Sequence, residues 1–315
     1  MRALVTGGAG FIGSQIVERL LQGGHSARAF DNLTSGKREN LAGIAGAELV
    51  VGDIRDADAL ARAMETMGGC DVVFHQAAIV SVPYSIEHPH ESLDVNLRGT
   101  LNVLEAARHA KTRRVVMASS AAVYGEDPEL PKRESMTPSP IAPYGLEKLA
   151  SEHYLSMWSK LFGVETVALR YFNVFGPRQD PSSAYSGVIS VFVDRILRGA
   201  PVTIFGDGEQ YRDFVYVANV VDANLLAATR AGISGRTYNV GCGAKTTLNE
   251  LAQMLARIAG REVKPRHEAP RAGDIRESVA DITRAREELG YAPKVGVEEG
   301  LRELVEWVSR RAPQS

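Results

Sequence analysis

Ala3-Leu4-Val5-Thr6-Gly7-Gly8-Ala9-Gly10-Phe11-Ile12-Gly13 is the stretch that decides the fold. A short apolar run enters a glycine turn, and an amphipathic pattern from Phe11 to Gln22 leaves it, which predicts strand, turn and helix in that order. Gly7 permits the tight turn, Gly10 lets backbone approach a pyrophosphate, and Gly13 lets helix and strand pack closely. The free N–H groups at the start of the helix then face the phosphates. A second run, Ala27-Arg28-Ala29-Phe30, ends at Asp31, about 20 residues past the motif, where a carboxylate accepts hydrogen bonds from ribose hydroxyls. That carboxylate repels a 2′-phosphate and so favours NAD over NADP, although Lys37 and Arg38 stand close by. A plain strand-to-helix turn is the competing reading of the glycines.

The alternation continues outward from this unit. Ala47–Val51, Val72–Phe74, Arg114–Met117 and Thr166–Leu169 are short apolar runs, with helical periodicity between them, clearest over Ser92–Ala110 and Leu146–Phe162. Continuous apolar strands separated by helices predict a parallel sheet covered on both faces, the α/β doubly wound Rossmann arrangement. After about Arg170 the pattern weakens, and a loop rich in Pro, Gly and Ser runs from Gly176 to Gly187. The expected division is a dinucleotide-binding domain over residues 1–172 and a smaller C-terminal α/β domain over 173–315. A strand near 236–241, Thr237-Tyr238-Asn239-Val240, returns to the main sheet.

Bulk composition narrows the function. The 315 residues carry a formal charge of −2 with signs interspersed, so nothing announces a nucleic-acid or membrane surface. No apolar run is long enough to span a bilayer, and the N-terminus enters its glycine turn too early for a signal peptide. Cys70 and Cys242 match no metal or redox spacing and read as reduced thiols of a cytoplasmic protein. No metal site is expected.

The chemistry lies further along. Tyr144 and Lys148 in Tyr144-Gly145-Leu146-Glu147-Lys148 are four apart on a helix, so they share a face with roughly 6 Å between Cβ atoms. A lysine ammonium there, with a cationic nicotinamide, would lower the phenol pKa from about 10 towards neutrality. The phenolate could then take a hydroxyl proton as hydride leaves the same carbon. Ser120 follows the strand Arg114–Met117, at the carboxyl edge where this architecture binds ligands. Asp53-Ile54 ends another strand, and Asp53 either holds an adenine edge or caps a helix. Ala77-Ala78 offers small side chains where backbone passes the cofactor, while His75 reads as a packed core residue.

Taken together, TGGAGFIG, DNLTSGKREN, HQAA, SSAAVYG, YGLEK, LRYFNVFGPRQDP and GDGEQYRDFVYV resemble the extended short-chain dehydrogenase/reductases acting on nucleotide sugars, over nearly the whole chain. Within that family the chain is most similar to the UDP-hexose 4-epimerases. The resemblance implies a catalytic Ser120, Tyr144 and Lys148. It also implies a cofactor site from Gly7, Gly10, Phe11, Ile12, Gly13, Asp31, Asn32, Asp53, Ile54, Ala77, Ala78, Asn96, Tyr144, Lys148 and Tyr171. Asn96 could instead cap the helix beginning nearby. For the UDP-sugar it implies Asn173 on the pyrophosphate and Arg212 and Arg271 as phosphate clamps, each arginine having a surface ion pair as its ordinary alternative. Val188, Thr203 and Phe205 would line the uridine pocket, with Asp274 and Ser278 beside the substrate.

The residues after Ser120 separate the reactions. Sugar 4,6-dehydratases carry an acidic pair there, and a uronate decarboxylase an acidic residue, whereas this chain has Ala121-Ala122, which cannot exchange protons. Redox-neutral epimerisation at C4, through a transient 4-keto sugar, is the expectation. Ser278 stands where epimerases restricted to plain hexoses have a bulky tyrosine, so room for a C2 acetamido group is expected. The first reading is therefore UDP-N-acetylglucosamine/UDP-N-acetylgalactosamine, with UDP-glucose/UDP-galactose or dual specificity as the alternative and a non-catalytic nucleotide-binding relative as the remote one. Spare apolar residues on Leu93–Ala110 and Leu146–Phe162 imply a homodimer through a helix bundle, unless both helices simply pack on the sheet.

Overall fold

Each apolar run of the first half becomes a strand in the computed structural model, which describes residues 1–180, 187–270 and 276–311. In chain order, β1 (Arg2–Thr6), α1 (Phe11–Gln22), β2 (Ser26–Asp31), β3 (Glu48–Val51), α2 (Ala57–Glu65) and β4 (Val72–His75) form the first half-sheet. Next come α3 (Val82–Glu87), α4 (Pro89–Leu93), α5 (Gly99–His109), β5 (Arg114–Ser120), α6 (Pro143–Phe162) and β6 (Glu165–Tyr171). The remainder runs β7 (Asn173–Phe175), α7 (Val188–Leu197), β8 (Thr203–Phe205), β9 (Tyr211–Arg212), β10 (Phe214–Tyr216) and α8 (Val217–Thr229). It closes with β11 (Arg236–Val240), β12 (Thr246–Thr247), α9 (Leu248–Ala259), β13 (Arg266–Glu268) and α10 (Val297–Arg311).

Seven strands make one parallel sheet in the order β11-β6-β5-β4-β1-β2-β3. The order reverses between β1 and β4, and a ligand crevice opens at such a switch point, outside the carboxyl ends of the strands. Side chains alternate between the two faces. Ala3, Val5, Ala29, Phe74 and Val116 pack with α1 and α8 on one side. Leu4, Phe30, Val73, Val115 and Met117 pack with α2, α5 and α6 on the other. With both faces covered, apolar residues are needed at every position, which is why these strands read as unbroken runs.

The helix boundaries follow local chemistry. α1 spans the residues its periodicity predicts. α6 begins three residues earlier than the pattern, because Pro143 occupies the first turn, where its missing N–H costs nothing. It ends at Gly163 in the left-handed conformation. The Ser92–Ala110 pattern is broken by a wider π-type turn over Asp94–Arg98, between α4 and α5. Asp56, not Asp53, caps α2, accepting from the Ala59 N–H at 2.9 Å.

The last third builds small β pairs, β7 with β10, β9 with β12 and β8 with β13, backed by α7, α9 and α10. β11 leaves this region to pair with β6, Arg236–Val240 against Val167–Tyr171. No described helix is long and apolar enough to cross a membrane.

Candidate active site

The glycine loop has no room for a side chain at Gly7 or Gly13. Gly7 has φ +66°, and a Cβ there would lie 2.7 Å from the Ala77 nitrogen. A Cβ on Gly13 would run into the Gly7 carbonyl oxygen. Gly10 caps α1 with no side-chain hydrogen bond and no acidic residue in the first turn, so the first-turn N–H groups of Phe11, Ile12 and Gly13 have no capping side chain. Ala77 donates its N–H to Thr6 Oγ1 at 3.4 Å, bringing the small Ala77-Ala78 pair beside the loop.

Asp31 is buried at the tip of β2. Its Oδ2 accepts from the Ala9 N–H at 3.0 Å and its Oδ1 from the Leu33 N–H at 2.8 Å. These bonds hold the carboxylate at the rim of the loop. Asn32 donates to Asp53 at 2.9 Å, so the ends of β2 and β3 are joined. The Arg55 guanidinium beside Asp53 holds its carboxyl down at about 2. Ile54 is buried against Gly99, where an added Cβ would strike it.

Ser120 is the last residue of β5, and its Oγ accepts from the Ala122 N–H at 3.1 Å. Tyr144 and Lys148 lie in the first turns of α6, both buried, with the Lys148 Nζ 5.9 Å from the Tyr144 ring centre. Nζ donates to the Ala118 carbonyl at 2.9 Å, which aims the ammonium at the end of β5. Burial pulls the Lys148 pKa down to about 8, against the charges of Glu147 and Glu152.

The phenol is buried. Burial pushes the Tyr144 pKa up, the Glu147 charge adds to the rise, and only the Ser120 hydroxyl, hydrogen-bonded to it, works the other way. Desolvation of the phenolate is the largest of these effects, so the phenol of the protein alone is held protonated. The half-exposed Ala121 and Ala122 place only methyl groups beside the pair.

Two further predicted positions are engaged by the protein itself. Asn96 lies inside the π-type turn rather than at a cap. Its Oδ1 accepts from the Ile79 N–H at 2.8 Å and its Nδ2 donates to Glu147 at 2.7 Å. It therefore braces the loop after Ala77-Ala78 against α6. The buried Tyr171 hydroxyl donates to Gln76 at 3.2 Å and accepts from Asn224 at 2.7 Å. His75 is a core residue as read, with its ring nitrogens 2.7 Å from Thr6 Oγ1 and 2.9 Å from Thr100 Oγ1. Burial, and then the Lys148 charge, hold its pKa down at about 3.

In the C-terminal region the chain brings Arg212 and Ser278 together. Tyr211 bridges Glu277, the Ser278 N–H donates to the Tyr211 carbonyl at 3.2 Å, and Arg212 donates to the Arg276 carbonyl at 3.1 Å. Ser278 is half-buried. Asn173 donates to the Asp213 carbonyl at 3.2 Å. Val188 opens α7, and Thr203 and Phe205 bound β8, all half-buried. Arg271 and Asp274 lie outside the described residues, as does the 181–186 part of the Pro/Gly/Ser-rich loop.

Three organising carboxylates escape a reading of the sequence. Glu147 and Glu152 are buried on α6; Ser92 donates to the first at 2.7 Å and Arg170 pairs with the second. Asp213 accepts from the N–H groups of Cys242 at 2.7 Å, Gly243 at 2.9 Å and Ala280 at 3.1 Å, tying the segment after β11 and the Ser278 segment to the β9–β10 turn. A buried position on the inner face of α6 is the one sequence signal that could have singled out Glu147 and Glu152. Asp213 gives none.

Comparison with known proteins bears on what this geometry serves. The family described as "NAD dependent epimerase/dehydratase family" matches residues 3–241. The UDP-glucose 4-epimerase of Thermotoga maritima, solved with UDP-glucose, superposes with a TM-score of 0.93 at 41% identity over 98% of this chain and 99% of that one. The Thermus thermophilus UDP-glucose 4-epimerase, solved with NAD, gives 0.90 at 42% over 99% and 100%. A UDP-N-acetylglucosamine 4-epimerase from Methanobrevibacter ruminantium, in complex with UDP-N-acetylmuramic acid, gives 0.92 at 38% over 98% of each chain. Both kinds of epimerase are thus similar throughout, and the preference for the acetylated subgroup that Ser278 suggests is not favoured.

Proposed function

The chain belongs to the NAD dependent epimerase/dehydratase family, and we propose that it is a UDP-sugar 4-epimerase interconverting UDP-glucose and UDP-galactose. The observation that carries this reading is the grouping of half-buried Ser120 with buried Tyr144 and Lys148 at the carboxyl edge of the sheet, with Ala121 and Ala122 directly after Ser120. An epimerase needs one proton carrier at C4; dehydration would need a second acid there.

The residues present fit NAD. The loop at Gly7 and Gly13 is a cradle that a Cβ would fill, α1 offers its N–H groups, and Asp31 is fixed where ribose hydroxyls would lie. Phe11, Ile12, Asn32, Asp53, Ile54, Ala77 and Ala78 complete that pocket. When bound, NAD supplies the acceptor and donor of the C4 hydride. Tyr144 takes the C4 hydroxyl proton and later returns it. Burial raises its pKa, and a cationic nicotinamide beside it would lower that pKa again. Ser120 steadies the C4 oxygen, and Lys148 orients the ribose from its post on the Ala118 carbonyl. Asn173 and Arg212 hold the pyrophosphate, and Val188, Thr203 and Phe205 the uridine. Leu93 and Leu146 are respectively 46% and 58% exposed on neighbouring helices, an apolar face that supports a homodimer.

A second reading is favoured by Ser278, whose small side chain at a half-buried place leaves room for a C2 acetamido group; dual specificity then follows. Incubation of purified protein with UDP-glucose and with UDP-N-acetylglucosamine in D2O tests both. Products epimerised at C4 without deuterium on that carbon are expected. Deuterium at C4 or loss of water would sink the proposal.

A further inference from the structure

We propose that Asp180 is a specificity-determining residue for the cofactor: by pairing with Lys37 it withholds that ammonium from a 2′-phosphate. The proposal rests on the ribose lying at Asp31. Lys37 donates its backbone N–H to the Ala9 carbonyl at 2.9 Å, and the Ala9 N–H donates to Asp31 at 3.0 Å. The adjoining Gly36 is so close that a Cβ there would be 2.6 Å from Asp31 Oδ1. Lys37 therefore starts within one peptide of the carboxylate that receives the ribose.

A ribose 2′-phosphate brings a charge of about −1.5 to −2 and three strong acceptor oxygens, and a lysine at this spot would be a natural partner for it. Instead the Lys37 Nζ lies 2.5 Å from Asp180 Oδ2. Asp180 reaches across from the segment after β7, which is anchored on α1. There the Gln15 side chain donates to the Pro177 carbonyl at 2.8 Å, and Arg178 pairs with Glu18. The Lys37–Asp180 pair is itself 51% and 31% exposed, so it adds little to stability. Its consequence comes from where Lys37 leaves the chain, beside the loop that holds Asp31, while its ammonium is taken by Asp180. The site refuses an added phosphate both directly and through the occupied lysine.

The test uses the whole protein equilibrated at low ionic strength with a fixed mixture of NAD and NADP, the bound cofactor then being released and quantified. Asp180→Asn is expected to raise the NADP share about threefold to fivefold, the scale of one exposed charge interaction, and the gain should shrink with added salt. Lys37→Ala added to Asp180→Asn should cancel it. An unchanged share, a gain that survives loss of Lys37, or an equal fall in both cofactors would overturn the proposal. Asp31→Ala serves as the separate check on the ribose placement: if it leaves NAD binding intact, the cofactor reading fails as well.

Discussion

Arg170 and Glu152 meet as a two-point ion pair in the buried angle between β6 and α6, Nε 2.9 Å from Oε1 and Nη2 2.7 Å from Oε2. Their side chains are only 5% and 6% exposed. Ser119, beside Ser120 on β5, donates to the same carboxylate at 2.5 Å. Glu152 lies four residues beyond Lys148 on α6, so this contact fixes the rotation of the helix that carries Tyr144 against the strand that carries Ser120.

Glu152→Gln should therefore destabilise the fold by about 3–5 kcal/mol, because it leaves the Arg170 charge buried and uncompensated. Denaturant unfolding measures this directly. Replacing both partners with apolar residues of similar volume should recover much of the loss.

Tyr144→Phe removes the only proton carrier assigned to C4 and adds no bulk. Turnover should fall about a hundredfold to ten-thousandfold while the unfolding midpoint and cofactor content stay near wild type. Progress curves with UDP-glucose, together with the absorbance of released cofactor, separate the two effects.

Ser278→Tyr should fill the space beside the Arg212 segment. Activity on UDP-N-acetylglucosamine should drop about tenfold or more, with UDP-glucose little affected. Equal losses on the two sugars would show that this position does not gate the acetamido group.

His75 supplies a pH dependence. Its pKa is about 3 in the folded chain, and its ordinary value is 6.5. Between those values the unfolded chain binds the extra proton, so stability is fully present above pH 6.5 and is lost as the pH falls towards 3. The loss amounts to about 5 kcal/mol at most. His75→Gln should flatten melting temperature against pH across that window, whatever it does to stability at pH 7.

Leu93→Glu combined with Leu146→Glu places charges on the exposed apolar face of α4 and α6. Light scattering should show the mass of the wild-type protein halve on substitution, with the circular dichroism of the fold unchanged.

Much of this was legible in the sequence where the signal is local. The Gly7–Gly13 turn, α1 and the run of parallel strands follow from apolar patterning and glycine spacing alone. The first turn of α6 was written in Pro143 but hidden from periodicity, which begins only at Leu146. Glu147, Glu152 and Asp213 were not legible, because a carboxylate on a helix or in a turn reads as solvated until its partner is known. Those partners, Ser92, Arg170 and Ala280, are 55, 18 and 67 residues away. The burial around Tyr144 was hidden for a related reason: the motif shows the lysine, while the desolvation of the phenol belongs to the folded interior.

β11 gives the molecule a constraint that outlasts any particular substrate. Because it is laid down against β6 only after more than sixty intervening residues have been threaded, a polypeptide cut at Phe172 would end on a raw hydrogen-bonding margin of buried-type side chains. Such a margin recruits strands from other molecules. Residues 1–172 should thus clump when made alone and stay dispersed when the distant strand is supplied, even as a separate peptide.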